Sequence, residues 1–98
     1  MKKITKELLK TITFVPGLIG IANVDLTKSA SALPEDKWTN GITAEETSKG
    51  LKICIAIIVD ADVRTKVVSN ELMLSMKTVL KLNRIKMDKI NIYIRGVR

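Results

Sequence analysis

The most regular pattern in the chain is an alternation between residues 51 and 60. Every second position there is aliphatic: Leu51, Ile53, Ile55, Ile57 and Val59. A period of two predicts a β-strand that directs these side chains to one face. The positions between them start polar at Lys52 and are apolar by Ile58, so we expect a central strand covered on much of both faces. Cys54 is then a small buried residue and not a nucleophile.

Two other segments repeat apolar residues at helical spacing. In residues 5–14 and just after them, the repeat consists of Leu8, Leu9, Ile12 and Val15. In residues 62–83, the predicted core face consists of Val68, Leu72, Met76, Val79 and Leu82. Asp62 stands where a helix N-cap is expected, because its carboxylate can accept hydrogen bonds from the free N–H groups of the first turn. The pattern therefore predicts one short helix and one long helix.

Shorter strands are predicted on either side of these elements. Residues 18–24 are rich in β-branched side chains, and Pro16 with Gly17 forms a structural turn that separates them from the first helix. Residues 89–95 alternate again: Ile90, Ile92 and Ile94 are expected to point inward, and Asn91, Tyr93 and Arg95 outward. The chain therefore closes on a strand that is apolar on one face.

Residues 42–50 allow two interpretations. The run from Thr43 to Glu46 matches a helix capping box. The same residues fit a strand over 42–45 followed by a turn over 48–50. We prefer the strand, because the long strand that follows needs an antiparallel neighbour.

Residues 25–40 are the least structured part of the prediction. Ser29 to Ala32 and Leu33 to Asp36 have the composition of loops. Trp38 is the exception, because an indole in a loop either anchors that loop to the core or marks a contact site. We favour the anchor, since a bulky apolar side chain is costly to leave in water.

These elements follow one another in the order α-β-β-β-α-β. The fold class expected is α+β, with a small single sheet of about four strands packed against two helices, in one domain over residues 1–98. If the strands before and after the long helix are parallel, their connection should be right-handed.

Composition argues against catalysis. The chain has no histidine and a single cysteine, Cys54. This excludes four-ligand zinc sites built from Cys and His within one chain, and it gives no sign of a disulfide framework. Asp60 and Asp62 are explained by a strand end and a helix cap. The protein is therefore expected to be no enzyme and to need no cofactor.

No secretory leader or membrane span is expected. The longest strongly apolar run, residues 53–59, has seven residues, whereas a spanning helix needs about 20. We expect a cytoplasmic protein that reaches a membrane only indirectly, through a partner.

The net charge of +7 permits attraction to nucleic acid or anionic lipid. Only 3% of the residues are aromatic, which leaves few rings to stack on bases. Gly17 and Gly20 have the Gly-x-x-Gly spacing of certain RNA-binding modules, but here the pair follows a helix and opens a strand. A basic nucleic-acid-binding module is therefore kept as the alternative function.

The long helix carries a basic stripe with an apolar member. Its residues are Lys66, Met73, Lys77, Lys81 and Arg84. A solvated helix back explains the charges, but a solvated face seldom contains methionine. The alternative is an interaction face with an apolar centre and a basic rim, and we keep it as the candidate site.

Several segments together resemble the alkaline shock protein family, the envelope stress proteins of Gram-positive bacteria. They are residues 14–20 (Phe-Val-Pro-Gly-Leu-Ile-Gly), residues 50–59, and the closing strand that ends in Gly96-Val97. The resemblance covers nearly the whole chain. It implies a non-enzymatic scaffold or adaptor that binds itself or another protein, near the membrane through an anchoring partner. A regulatory subunit of a separately encoded enzyme is a further alternative.

Overall fold

The molecule is built around one strand that has neighbours on both edges. In the computed structural model, which describes residues 2–98, the elements are α1 (Lys2–Ile12), β1 (Leu18–Ile21), a 3₁₀ helix (Glu35–Gly41), β2 (Ile42–Thr47), β3 (Gly50–Val59), α2 (Thr65–Leu82) and β4 (Met87–Val97). The α+β class and the order α-β-β-β-α-β are confirmed. The 3₁₀ helix was not predicted.

The sheet is mixed, with β3 at its centre. β4 runs parallel to β3 and covers one edge from Leu51 to Val59. The other edge is shared by two antiparallel strands: β2 pairs with residues 50–55 and β1 with residues 57–59. The strand interpretation of residues 42–45 and the turn after them are therefore confirmed. The β3–α2–β4 unit is the parallel crossover that the sequence left conditional.

Both faces of β3 are buried, as the alternation predicted. The five alternate aliphatic residues that begin with Leu51 are at most 1% exposed and meet α1 and α2 in the main core. On the opposite face, Ala56 and Ile58 pack with Ala22 in a second, smaller cluster. Cys54 lies on that second face and is only partly buried, so the expectation that it is buried holds in part.

The Pro16–Gly17 turn connects α1 to β1. The carbonyl of Val15 accepts a hydrogen bond from the N–H of Leu18 at 3.2 Å, and Gly17 has φ +88°. Proline followed by a residue with positive φ is the pattern of a type II turn. A Cβ on Gly17 would lie 2.7 Å from Val68 Cγ2, so glycine is also needed for close packing against α2. The structural role predicted for this pair is confirmed.

Trp38 anchors the segment between β1 and β2. It lies in the 3₁₀ helix, packs against the main core, and its Nε1–H donates to the carbonyl of Leu33 at 3.2 Å. The anchor interpretation is therefore confirmed, although the surrounding residues are more ordered than their composition suggested. β1 is shorter than predicted and ends at Ile21 instead of residue 24. α1 begins and ends earlier than predicted, which leaves Phe14 in a turn.

The two ends of α2 differ from the prediction. Asp62 is not the N-cap: its N–H donates to Asp60 Oδ1 at 2.8 Å, in a turn that delays the helix to Thr65. Leu82 was assigned to the core but is 77% exposed, while Leu80 is buried. Leu80 belongs to the main core, and Ile85, just after the helix, packs against the same core.

Candidate interaction surfaces

The basic stripe predicted on α2 is only partly exposed as one surface. Lys66, Lys77 and Lys81 are exposed on the helix, as expected for a surface that contacts a partner. Met73 is partly buried and packs against the main core. It therefore does not form the apolar centre of this face.

Exposed aliphatic residues nevertheless lie on the outer side of α2. Val67 is 46%, Leu74 66% and Leu82 77% exposed. We call these three residues with Lys66, Lys77 and Lys81 the α2 outer surface. Leu74 lies opposite the buried residues Val68, Leu72 and Met76 on the helical wheel. The seven-residue spacing of Val67 and Leu74 was a signal that sequence reasoning missed, because Met73 attracted attention first.

Arg84 has a structural role that the sequence did not reveal. It follows the helix with φ 55°, in the left-handed region that side chains other than glycine rarely adopt. Its N–H donates to the carbonyl of Lys81 at 3.1 Å, and the N–H of Ile85 donates to the carbonyl of Leu80 at 2.9 Å. This pair of bonds is the Schellman motif that ends many helices, with Arg84 in the position usually occupied by glycine.

Replacing Arg84 with glycine is therefore expected to stabilise the protein by about 0.5–1 kcal/mol, since the left-handed conformation costs a side chain about 1–2 kcal/mol and part of that gain is offset by the greater freedom of glycine in the unfolded chain. Urea denaturation measures the change. The matched control is Lys81→Gly inside the helix, which should destabilise by about 1 kcal/mol. A loss of stability in Arg84→Gly would show that the arginine side chain makes a compensating contact.

The face of the sheet away from the helices is partly covered by the loop after β1. Arg95 holds this loop: its guanidinium donates to the carbonyls of Asn23, Asp25, Leu26, Lys28 and Ser29 at 2.9–3.4 Å. A register irregularity in β4 lies between its pairings with Ile57 and Ile58 and leaves Arg95 without a partner on β3. Arg95 was predicted only to point outward, and no local pattern could have shown the loop that it binds.

Asp25 stabilises the same loop from within. Hydrogen bonds from the Thr27 hydroxyl and N–H hold the pKa of the Asp25 carboxyl below its usual value, and the charges of Lys28 and Arg95 act in the same direction. Because this pKa is lowered, the ionised Asp25 carboxylate contributes stability to the folded protein. That contribution is complete above the unfolded-state pKa and is lost as pH falls through the folded-state pKa. The contribution of these hydrogen bonds is therefore complete near neutral pH.

The outer edge of β4 pairs with no other strand in the described chain. On β3, Leu51 and Val59 direct their backbone groups toward β4, because Leu51 N–H donates to Lys86 and Val59 accepts from Arg98. The register then places Lys89, Asn91 and Tyr93 with their backbone groups toward β3. Ile90, Ile92 and Ile94 alternate with them and direct theirs to the open edge.

Within residues 2–98, no three His, Cys, Asp or Glu side chains lie together as ligands for a metal ion. In the same range, Asn91 Nδ2 and Cys54 Sγ are 3.6 Å apart on the second face of the sheet. Neither α1 nor α2 has the length and apolarity to cross a bilayer.

Comparisons with known proteins show the fold. No family model and no curated protein matches the chain. Among solved structures, the chain is similar to the nickel form of a MamM CTD variant, with 12% identity, 98% of each chain covered and a TM-score of 0.57. The copper form of MamM CTD is similar at 12% identity and a TM-score of 0.56, over 98% of this chain and 85% of that one. The chain therefore has a fold like that of MamM CTD, and its resemblance to the alkaline shock proteins stays a prediction.

Proposed function

We propose that the protein is a non-catalytic association module that pairs with a second copy of itself through the open edge of β4. The observation that carries the proposal is that β4, eleven residues long, pairs with β3 along one edge and with no described strand along the other. An unpaired strand edge is a ready template for another strand. The proposal agrees with the scaffold role that the resemblance to alkaline shock proteins implies.

The register of β4 suits a symmetric pair. In an antiparallel arrangement about Ile92, the outward backbone groups of Ile90 in one copy meet those of Ile94 in the other. A two-fold axis then pairs the outward backbone N–H and C=O groups of both copies through the same residues. Such two-fold symmetry is the usual form of a homodimer. The sheet would continue from one copy into the next.

Charge does not oppose this pairing. The same arrangement places Lys89 opposite Arg95, and two free like charges there would oppose association. The guanidinium of Arg95 is held by carbonyls of the loop at residues 23–29, so its charge is turned away from the edge. Ile94 and Val97, 39% and 55% exposed, leave apolar surface beside it.

The nickel and copper of the MamM CTD structures are not carried over to this protein. The chain has no histidine, and its described acidic and cysteine side chains do not cluster. The proposed association uses backbone pairing and apolar contact.

The test is the mass in solution of the Ile94→Pro variant. Proline removes the outward N–H of residue 94 and leaves the bonds between Tyr93 and β3 in place. Light scattering after size exclusion should give twice the 10.9 kDa monomer mass for the wild type at high concentration, and the monomer mass for Ile94→Pro.

Glu46→Pro is the matched control. By the same alternation, Glu46 directs its N–H to the open edge of β2, so this variant should dimerise like the wild type. Circular dichroism checks that both variants fold. A wild type that is monomeric at every concentration, or equal dimerisation of the folded Ile94→Pro variant, would contradict the proposal.

A further inference from the structure

The two helices form one layer whose outer side faces away from the sheet. They run antiparallel: Glu7 Oε1 and Asn83 Nδ2 are 3.3 Å apart at one end, and Gly17, just after α1, packs against Val63 and Val68 at the other. The two helices therefore lie side by side, although α1, with 11 residues, is shorter than α2, with 18.

This layer concentrates the positive charge of the molecule. Its exposed basic side chains are Lys3, Lys6, Lys10, Lys66, Lys77 and Lys81, and its exposed acidic side chains are Glu7 and Glu71. Lys3, Lys6 and Lys10 follow one another at helical spacing on the outer side of α1. An anionic surface placed against the two helices would be attracted along both of them.

Large apolar side chains stand among these lysines. Leu74 and Leu82 are 66% and 77% exposed on α2, and Phe14, which follows α1, is 81% exposed. Val67 and Leu82 are fifteen residues apart, which corresponds to about 22 Å of helix. Leucine and phenylalanine that enter the interface, beside lysines that meet anionic headgroups, are the side chains with which helices bind a bilayer surface.

We infer that the helical layer docks directly on the surface of an anionic phospholipid bilayer. The lysines contact the headgroups, and Leu74 and Leu82 enter the boundary between headgroups and acyl chains. This goes beyond the proposed function, because it uses a surface separate from β4. It also differs from the indirect membrane association expected from the sequence.

Shape and composition favour a bilayer over other anionic partners. The described grooves lie at the margins of this layer; one of about 390 Å³ lies between α1 and the 3₁₀ helix, where Lys6 and Lys10 line it together with Glu35 and Asp36. None of those grooves is lined by Leu74 or Leu82, so these residues project from a helix back and do not line a cleft. Nucleic acid would use the lysines but has no place for exposed leucines, and Trp38 is engaged in the core.

The experiment is co-sedimentation with vesicles. The wild type should sediment with vesicles of equal parts phosphatidylglycerol and phosphatidylcholine and stay in solution with phosphatidylcholine alone. The double variant Lys77→Glu/Lys81→Glu should lose at least about tenfold in vesicle affinity. The matched control Lys37→Glu/Lys49→Glu alters exposed lysines outside α1, α2 and β4 by the same total charge, and it should lose much less.

Leucine variants test the apolar part. Leu74→Ser should lower vesicle affinity several-fold, whereas Leu26→Ser, which alters a leucine of 58% exposure in the loop after β1, should leave it unchanged. Equal losses in the two charge variants, no sedimentation of the wild type, or lysine-dependent binding to a DNA oligonucleotide in place of vesicles would each overturn the inference. Ile94→Pro should still bind anionic vesicles, so loss of pairing and loss of lipid binding are distinguishable.

Discussion

Alanine at position 50 is expected to destabilise the protein by about 3 kcal/mol, because it combines a forbidden backbone conformation with a clash against another strand. Gly50 has φ +129°. A Cβ there would lie 2.6 Å from the carbonyl oxygen of Lys86 and 2.9 Å from its carbonyl carbon. These are backbone atoms and cannot rotate away as the end of a side chain can.

The clash would fall where β3 and β4 begin their pairing. The carbonyl of Lys86 accepts the N–H of Leu51 at 2.8 Å, so any movement that relieves the clash also weakens this bond. The measurement is urea denaturation followed by circular dichroism, with Gly20→Ala as the control. A Cβ on Gly20 has its nearest neighbours at 3.5 Å, which is ordinary contact. Equal stability of the two variants would show that the close approach to Lys86 is relieved at no cost.

The second large effect is expected at Leu72. This residue is fully buried on the inner face of α2. Leu72→Ala should therefore cost about 3–4 kcal/mol through lost burial and the cavity that remains. Leu82→Ala removes the same atoms from a side chain that is 77% exposed, and its cost should stay within about 0.5 kcal/mol. These two variants make the same chemical change at a buried and at an exposed position of α2, so the difference between them measures the effect of burial.

Thermal and urea unfolding of both variants provide the measurement. The hydrophobic repeat assigned both leucines to the core, whereas the structure buries only one of them. A loss of stability in Leu82→Ala as large as that in Leu72→Ala would mean that the last turn of α2 packs as the sequence pattern predicted. Leu80, in contrast, is 1% exposed and should behave like Leu72.

Local patterns predicted the elements well, because each depended on rules that act within a few residues. Strict alternation identified β3 and the buried status of both its faces. Proline followed by glycine identified the turn after α1, since no other residue pair fits φ +88° at Gly17 so readily. The need of β3 for an antiparallel neighbour decided correctly between a strand and a helix in β2.

Element ends and side-chain partners depended on residues far apart in the chain. The sequence predicted Asp62 as the helix N-cap, but the N–H of Asp62 donates to the carboxylate of Asp60 in the turn that leaves β3. Ile94 was expected inside, yet it lies on an edge strand and is 39% exposed. In both cases the position of another element decided the outcome.

The candidate surfaces show the same division. The sequence by itself determined that the long helix is basic on one side and that the chain closes on an aliphatic strand, because periodicity alone assigns residues to faces. Only the tertiary structure decided that Met73 packs inward while Leu74 projects, that Arg84 ends the helix, and that Arg95 binds the loop at residues 23–29. Those outcomes follow from where the sheet and its loops lie against each face, and a one-dimensional pattern contains no information about that placement.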